Sequence, residues 1–182
     1  MKRRIALTGG IACGKSLLSH YLNELDVETI DADDIVHELI PEDERKRLAK
    51  IVFNNPAARK ELEGRIHPIV KSRIDTFLDS HPSSLDLRIA VIPLLFETHW
   101  DEEYDIICCV RSERETQVSR MMATRGYTRE EAEARLAAQM PVEKKAEKSH
   151  YVIDNNGSAE ELKEETRKFV SWLKNSTYSQ VQ

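Results

Sequence analysis

One short stretch of this sequence has the residue types and the spacing needed to hold a row of phosphate groups. Residues 9–16 read Gly-Gly-Ile-Ala-Cys-Gly-Lys-Ser, which satisfies the pattern G-x-x-x-x-G-K-[ST] at every fixed position. Gly9 and Gly14 let the backbone turn sharply beside an anion, and the turn aims its N–H groups at phosphate oxygens. Lys15 would reach the β- and γ-phosphates, and the Ser16 hydroxyl would bind Mg²⁺. The pattern predicts a site for a nucleoside triphosphate and Mg²⁺.

The residues around this loop favour the same interpretation. An apolar run with strand character, residues 4–8, precedes the loop, and leucines at helical spacing follow it. A glycine turn with a solvated lysine is the alternative, and the strand–loop–helix context argues against it. We therefore predict that the nucleotide is held by a continuous set of residues, namely Gly9, Gly10, Ile11, Ala12, Cys13, Gly14, Lys15, Ser16 and Leu17.

A second group of polar side chains directly follows the next strand pattern. Asp31, Asp33 and Asp34 come after the run 27–30. In an open parallel sheet, ligands bind beyond the carboxyl ends of the strands, so Asp31 and Asp33 should reach the same edge as the glycine loop. A carboxylate there can accept the proton of an attacking hydroxyl or hold metal-bound water. The alternative is that Asp31 or Asp33 only caps the following helix; Asp34 is better explained as a first-turn helix residue.

Short apolar strands alternate with helical patterns along the chain, which predicts an α/β fold with a five-stranded parallel sheet flanked by helices. The predicted strands are 3–8, 27–30, 86–95, 104–110 and 150–154. The predicted helices are 15–25, 33–40, 42–53, 57–80, 112–125, 128–138, 142–148 and 159–174, with Ser158 as the cap of the last one. From Asn175 onward the chain is polar, and we expect it to fray.

Composition places the chain among ordinary globular proteins and excludes several classes. The net charge is −5, with 32% charged residues, which argues against bulk binding of nucleic acid. No apolar stretch approaches the length of a membrane span, and the run after the basic N-terminus is too short for a signal peptide. Cys108 and Cys109 are neighbours on a strand, so a disulfide between them is not expected. We expect a cytoplasmic protein without nucleic-acid or membrane partners, as a monomer or weak homo-oligomer.

Several motifs in a fixed order resemble those of the dephospho-coenzyme A kinase family. The loop and Asp31-Ala32-Asp33 are followed by four further matching stretches. They are Leu62-x-x-x-Ile66-His67-Pro68-x-Val70, Val91-Ile92-Pro93-Leu94-Leu95-Phe96-Glu97, Gln117-x-x-Arg120, and Gln139-Met140-Pro141 with Val152-Ile153-Asp154-Asn155. The resemblance covers nearly the whole chain. It implies a P-loop kinase, similar to nucleoside monophosphate kinases, that transfers the ATP γ-phosphate to the ribose 3′-hydroxyl of dephospho-coenzyme A.

The resemblance also implies roles for single residues. Asp33 would be the catalytic base or an orienting carboxylate for the 3′-hydroxyl, acting beside Lys15, while Thr8 would lie beneath the loop. Asp31, His67, Leu94 and Glu97 would meet the acceptor, with metal as the alternative contact for Glu97. A proline beside His67 should kink or break the helix there, and for His67 a structural role is the alternative.

A lid rich in arginine would complete the site. Arg120 and Arg135 match the family pattern and would neutralise charge on the migrating phosphoryl group, although arginines on polar helices are often only solvated. Asn155 would lie near the adenine. The implied division is a core at about 1–32, 85–111 and 150–175, an acceptor-binding region at about 33–84, and a lid at about 112–148.

Four departures from the family pattern stand out. The segment between Ile40 and Leu48 is short, Thr124 stands where the lid usually has a second arginine with Arg125 next to it, and His150 replaces an aspartate. Ala12-Cys13 replaces a Gly-Ser pair in the loop, and Cys13 could make the site sensitive to alkylation. These departures keep two alternatives open, a kinase with another small-molecule or nucleotide acceptor and a non-catalytic ATP-binding regulatory protein.

Overall fold

The predicted alternation of strands and helices builds one parallel sheet. The structure is a computed structural model, and it describes residues 3–53, 55–80 and 87–178. The strands are β1 (Ile5–Gly9), β2 (Glu28–Asp31), β3 (Arg88–Val91), β4 (Ile106–Arg111) and β5 (Tyr151–Asp154). Their order across the sheet is β2-β3-β1-β4-β5, and every neighbouring pair is parallel. The predicted five-stranded parallel sheet is confirmed.

Helices cover both faces of this sheet and fill the two long stretches between strands. They are α1 (Lys15–Glu24), α2 (Ala32–Leu39), α3 (Glu42–Phe53), α4 (Pro56–Asp79), α5 (Arg114–Arg125), α6 (Arg129–Ala137), α7 (Val142–Glu147) and α8 (Ala159–Tyr178). A short 3₁₀ helix, Asp101–Glu103, was not expected from the sequence. None of the helices in the described ranges is long and apolar enough to cross a membrane.

The central strand β1 fixes the sheet because every one of its residues is buried. Leu7 pairs with Val91 on one side and with Cys108 on the other, so β1 has a partner along both edges. A strand buried on both faces needs a nearly continuous apolar run, which is the pattern at this point of the sequence. His150, directly before β5, adds a contact to β4, because its Nδ1 accepts the Ile107 N–H at 3.0 Å.

Two apolar cores lie on opposite faces of the sheet. One holds Leu18 and Leu22 of α1 together with Leu162 and Phe169 of α8. The other holds residues of α2 and α4, with Ile74 of α4 almost completely buried. All three cysteines are free and buried, namely Cys13, Cys108 and Cys109. Cys108 and Cys109 are therefore not joined by a disulfide.

Two predicted boundaries were wrong by several residues. β3 ends at Val91 rather than at residue 95, because Pro93 has no N–H to donate and the chain turns from there to His99. Residue 86, where that strand was expected to begin, lies outside the described residues. At the other end of the chain, α8 continues to Tyr178, so the expected fraying from Asn175 does not occur within the described part.

The expected helix break at Pro68 is also wrong, because α4 runs through it. Beyond the proline, Val70, Ile74 and Leu78 repeat at helical spacing and are all buried against the sheet. The free energy gained by burying this stripe offsets the cost of the one backbone hydrogen bond that a proline removes from a helix.

Candidate active site

The carboxyl ends of three neighbouring strands bring the predicted groups together. β1 ends at Gly9, where the glycine loop begins, and β2 ends at Asp31. β3 lies between them, and the chain beyond it turns through Pro93 to Glu97. The glycine loop, the aspartate pair and the Pro93–Glu97 turn therefore share one edge of the sheet, as parallel strands require.

The glycine loop holds a tight conformation that suits an anion. Gly9 and Gly14 have φ angles of 151° and 93°, and Ala12 has a φ of 58°. A Cβ on Gly9 would collide with the Val110 carbonyl oxygen, so glycine is needed at that position. Ala12 adopts the left-handed region with a Cβ, which costs roughly 1–2 kcal/mol. The replacement of glycine by alanine here is therefore tolerated at the expense of stability.

Lys15 is folded onto the loop that precedes it. Its Nζ donates to the carbonyl oxygens of Gly9 at 3.2 Å and Gly10 at 2.9 Å. Burial lowers the pKa of Lys15, and the charge of Lys145 lowers it further, while Asp33 and Asp31 act in the opposite direction. Burial thus disfavours the positive charge of Lys15, and the carboxylates of Asp33 and Asp31 favour it.

Asp31 and Asp33 have different tasks at this edge. Asp31 caps α2, where its side chain accepts the Asp33 N–H at 2.8 Å, so the capping alternative describes Asp31 correctly. Burial raises the pKa of Asp31 to about 6. Desolvation also raises the pKa of Asp33, whereas Lys15 and, more weakly, Arg125 lower it. Asp33 is exposed and makes no capping bond in the described structure, so its carboxylate is free to receive a proton.

Side chains from α5 and from the turn after β5 contact the loop from behind. Arg120 donates to the Ser112 hydroxyl at 3.0 Å and approaches the Ala12 carbonyl at 3.4 Å. Asn155, 5% exposed, donates to the Cys13 carbonyl at 2.8 Å. Arg120 and Asn155 therefore contact the loop itself, and their roles toward the phosphoryl group and the adenine stay predictions.

The remaining lid arginines do not all approach the loop. Arg135 is exposed and lies over the Tyr127 ring, 4.3 Å from its centroid, with no hydrogen bond to the loop within the described residues. Thr124 turns back onto its own helix and donates to the Arg120 carbonyl. Arg125, the next residue, is the one whose charge acts on Asp33. Whether Arg125 replaces the missing lid arginine stays a prediction.

Glu97 is held by a lysine that the sequence analysis missed. Lys145 is completely buried, and its Nζ donates to the Pro93 carbonyl at 2.7 Å and to Glu97 Oε1 at 2.8 Å. Glu97 Oε1 also accepts the Met140 N–H at 3.0 Å, while Oε2 is buried with no partner in the described structure. The one signal in the sequence was that Lys145 falls between Val142 and Ala146 on the apolar side of α7.

The burial and contacts of four other predicted residues are as follows. Thr8 lies beneath the loop, but it is fully buried and donates to the Pro93 carbonyl, so it offers no surface to a substrate. His67 packs edge-on against the Trp100 ring, with centroids 5.3 Å apart. Leu94 is half-buried, and Leu17 is 38% exposed beside the loop.

The expected sensitivity of Cys13 to alkylation is wrong. The side chain is completely buried, and burial raises the pKa of its thiol despite the nearby Lys15. A buried, protonated thiol is a poor nucleophile.

The donors at this edge fit Mg²⁺ when it arrives with phosphate. The exposed residue Ser16 lies in the first turn of α1, and Asp31 and Asp33 lie at the carboxyl end of β2, which β3 separates from β1. No group of three or more metal-binding side chains occurs among the described residues. Mg²⁺ commonly takes its other ligands from water and substrate phosphates, so these oxygen donors suffice.

Comparisons with known proteins identify relatives across most of the chain. The family model "CoaE: Dephospho-CoA kinase" matches residues 3–45 and 41–161. A protein of Geobacter sulfurreducens named dephospho-CoA kinase is 39% identical over 181 residues, which cover 87% of this chain and 92% of the relative.

Solved structures agree with the sequence match. The Thermus thermophilus protein TT1252 superimposes with a TM-score of 0.80 at 31% identity, over 94% of this chain and 97% of that one. Dephospho-CoA kinase from Campylobacter jejuni gives a TM-score of 0.72 at 27% identity, over 97% and 99% of the two chains. The topology of this chain is therefore that of a P-loop kinase.

Proposed function

Because the chain belongs to the dephospho-CoA kinase family, we propose that it transfers the γ-phosphoryl group of ATP to the ribose 3′-hydroxyl of dephospho-coenzyme A. The products are coenzyme A and ADP, and the reaction is the last step of coenzyme A synthesis. The observation that carries the proposal is the juxtaposition of the complete phosphate loop and Asp33 at one sheet edge, in a chain with this family membership.

Phosphoryl transfer needs charge stabilisation and alignment more than covalent chemistry from the protein. The N–H groups of the loop and the first turn of α1 hold the β- and γ-phosphates. Lys15 leaves the carbonyls of Gly9 and Gly10 and donates to the phosphates instead. Mg²⁺, bound through Ser16, would neutralise charge between the two phosphates.

Asp33 receives the proton of the attacking 3′-hydroxyl. Desolvation raises its pKa, which makes it a better proton acceptor than an ordinary surface aspartate, while the charge of Lys15 favours its ionised form. Asp31 orients Asp33 by accepting its N–H. Arg120 and Arg125 supply positive charge on the lid side, and Arg135 would join them only when the lid closes.

The two helical insertions provide the acceptor site and the lid. Residues of about 33–84, within which 54 and 81–84 lie outside the described part, would hold dephospho-coenzyme A, with His67, Leu94 and Glu97 on its wall. Residues of about 112–148 would close over the phosphates. Buried free thiols suit a reducing compartment, so we retain a cytoplasmic location as a prediction.

The test is ADP release from Mg-ATP with and without dephospho-coenzyme A, with the acceptor product identified by mass. We expect acceptor-dependent ADP and equimolar coenzyme A. Two controls define the reaction: an acceptor that lacks the 3′-hydroxyl should give no product, and Lys15→Ala should lower turnover by about 10³-fold or more.

Two outcomes would contradict the proposal. ADP release that requires another nucleotide or metabolite would identify a kinase with a different acceptor. Tight ATP binding without turnover on dephospho-coenzyme A would identify a nucleotide-binding protein that has lost transfer.

A further inference from the structure

Side chains from three different parts of the chain bind the carbonyl groups of the phosphate loop. Lys15 donates to Gly9 and Gly10, as described above. Gln117, from α5, donates through Nε2 to the Ile11 carbonyl at 2.7 Å. Beyond these, the Ala12 carbonyl faces Arg120 and the Cys13 carbonyl accepts from Asn155. Every carbonyl from residue 9 to residue 13 therefore faces a side-chain donor.

Two of these donors are buried neutral amides that lie close to glycines of the loop. Gln117 is 3% exposed and Asn155 is 5% exposed. A Cβ added to Gly10 would collide with Gln117 Nε2, and a Cβ added to Gly14 would collide with Asn155 Nδ2. Gly10 is not a fixed position of the phosphate-binding pattern, so its contact with Gln117 gives a separate reason for glycine there.

The direction of the carbonyls decides whether the loop attracts or repels an anion. A peptide group that turns its oxygen toward phosphate presents a partial negative charge, and it also withdraws its N–H from the ligand. The amide donors at the carbonyls of Ile11 and Cys13 hold these two peptides in the opposite orientation. A loop held in this way does not have to reorganise when the anion binds, which improves its affinity.

We propose that Gln117 and Asn155 are positioning residues that keep the phosphate loop receptive to a triphosphate by holding the carbonyls of Ile11 and Cys13. Neither amide needs to touch the nucleotide. The proposal rests on the proposed function only in that the loop binds a triphosphate, whatever the acceptor. Gln117 also ties the loop to α5, the helix that leads into the lid region, so a displacement of α5 would move the Ile11 peptide.

The experiment replaces each amide with an apolar side chain of similar size and no donor. The variants are Gln117→Met and Asn155→Leu, and the controls are Ser119→Ala and Asn23→Leu, which change exposed positions on α5 and α1. Isothermal titration calorimetry measures the Kd of Mg-ATP, of inorganic tripolyphosphate and of adenosine. Steady-state kinetics give kcat and KM, and thermal unfolding is followed with and without ATP.

We expect each amide variant to bind both Mg-ATP and tripolyphosphate about tenfold or more weakly, with adenosine affinity and the controls unchanged. The ATP-induced rise in Tm should shrink, although the loss of a buried donor also lowers the Tm without ligand by a few degrees. A merely structural amide would lower the Tm without ligand and leave the Kd unchanged. Unchanged affinity for tripolyphosphate in both variants would overturn the proposal.

A folding defect in one variant does not imply a defect in the other, since Gln117 and Asn155 contact the loop from different elements. If Gln117→Met does not fold, Asn155→Leu still tests the same mechanism. Failure of the wild-type protein to phosphorylate dephospho-coenzyme A would overturn the proposed function alone, because tripolyphosphate binding does not involve the acceptor.

Discussion

Asp31 is a carboxylate whose charge is unfavourable in the folded protein. Its pKa rises from an ordinary value of 3.8 to about 6, mainly because of burial, and the charge of Asp33 adds to the effect. The folded state therefore binds more protons than the unfolded chain between these two values. By linkage, the stability of the fold decreases as the pH rises through that window, and the full cost is present above about pH 6.

Replacement of this charge should stabilise the protein in a pH-dependent way. Asp31→Asn keeps an acceptor for the Asp33 N–H, because asparagine is also a good helix cap. After allowance for solvent screening, we expect a gain of about 1–2 kcal/mol in the free energy of unfolding near pH 8. The gain should vanish near pH 4. Urea denaturation at both pH values checks this, and an equal effect at the two values would contradict it.

Asp33 should matter for the chemical step rather than for ATP binding. Asp33→Asn is expected to lower kcat by about 100-fold or more, with the Kd of ATP changed by less than about threefold. The wild-type kcat should rise with pH along an acid limb displaced upward from that of an ordinary aspartate, because the pKa of Asp33 is raised. Asp34→Asn, one position further along α2, is the matched control. An unchanged kcat would return Asp33 to the first turn of the helix as a structural residue.

At the scale of elements, the Lys145–Glu97 ion pair connects three segments that are distant in the sequence. It joins α7 to the turn after β3 through Lys145, and Glu97 also accepts the N–H of Met140, between α6 and α7. A charged lysine with no exposed surface is stable only when its partners are in place. The pair therefore fixes the position of the chain from Met140 to α7 relative to the sheet.

Removal of one partner of the Lys145–Glu97 pair should lower the free energy of unfolding more than removal of both. Lys145→Met is expected to lower the free energy of unfolding by about 3 kcal/mol or more, since it leaves Glu97 half-buried without its cation. The double variant with Glu97→Gln should recover part of this loss. Urea denaturation of the four proteins in the cycle measures the coupling free energy between Lys145 and Glu97.

Arg167→Met, in an exposed pair with Glu164, is the control and should change the free energy of unfolding by less than about 1 kcal/mol. A loss of similar size in both lysine and arginine variants would contradict the role of the buried pair.

Elements with strong local patterns could be predicted from the sequence, and their contacts across the fold could not. The loop, β1 and α1 follow from glycine spacing and apolar periodicity, which act within a few residues. Lys145 was missed because a lysine is almost always on the surface, and only the partners brought by β3 explain its burial. The course of α4 through Pro68 and the contact of Arg135 with Tyr127 likewise depend on packing between segments.

At the scale of the whole molecule, the sheet is the fixed part, and the two insertions differ along their length in how they are attached to it. Helices α4 and α7 bury side chains in the cores of the sheet, whereas α6 contributes only to a separate small cluster. β1 pairs with β3 and β4 along most of its length, and its residues are buried. The outer part of the proposed lid, α5 and α6, is joined to this core through Gln117 and Arg120 and, after α6, through Met140. Much of the surface of α6 is exposed. Regions with few buried contacts open more readily than the core that carries them.

This contrast predicts where the two substrates change protection against hydrogen exchange. A non-hydrolysable ATP analogue should slow exchange in the loop and α1, and further addition of dephospho-coenzyme A should slow it in α2, α4 and the lid helices α5 and α6. Amides of β1 and β4 should exchange at the same slow rate in every state, because their protection comes from the sheet. Mass spectrometry of peptic peptides measures all three regions in one experiment. If the lid peptides exchange equally with and without both ligands while turnover is normal, the lid does not close over the phosphates. Arg135 would then stay on Tyr127 during the reaction, and Arg120 and Arg125 would be the lid cations that act.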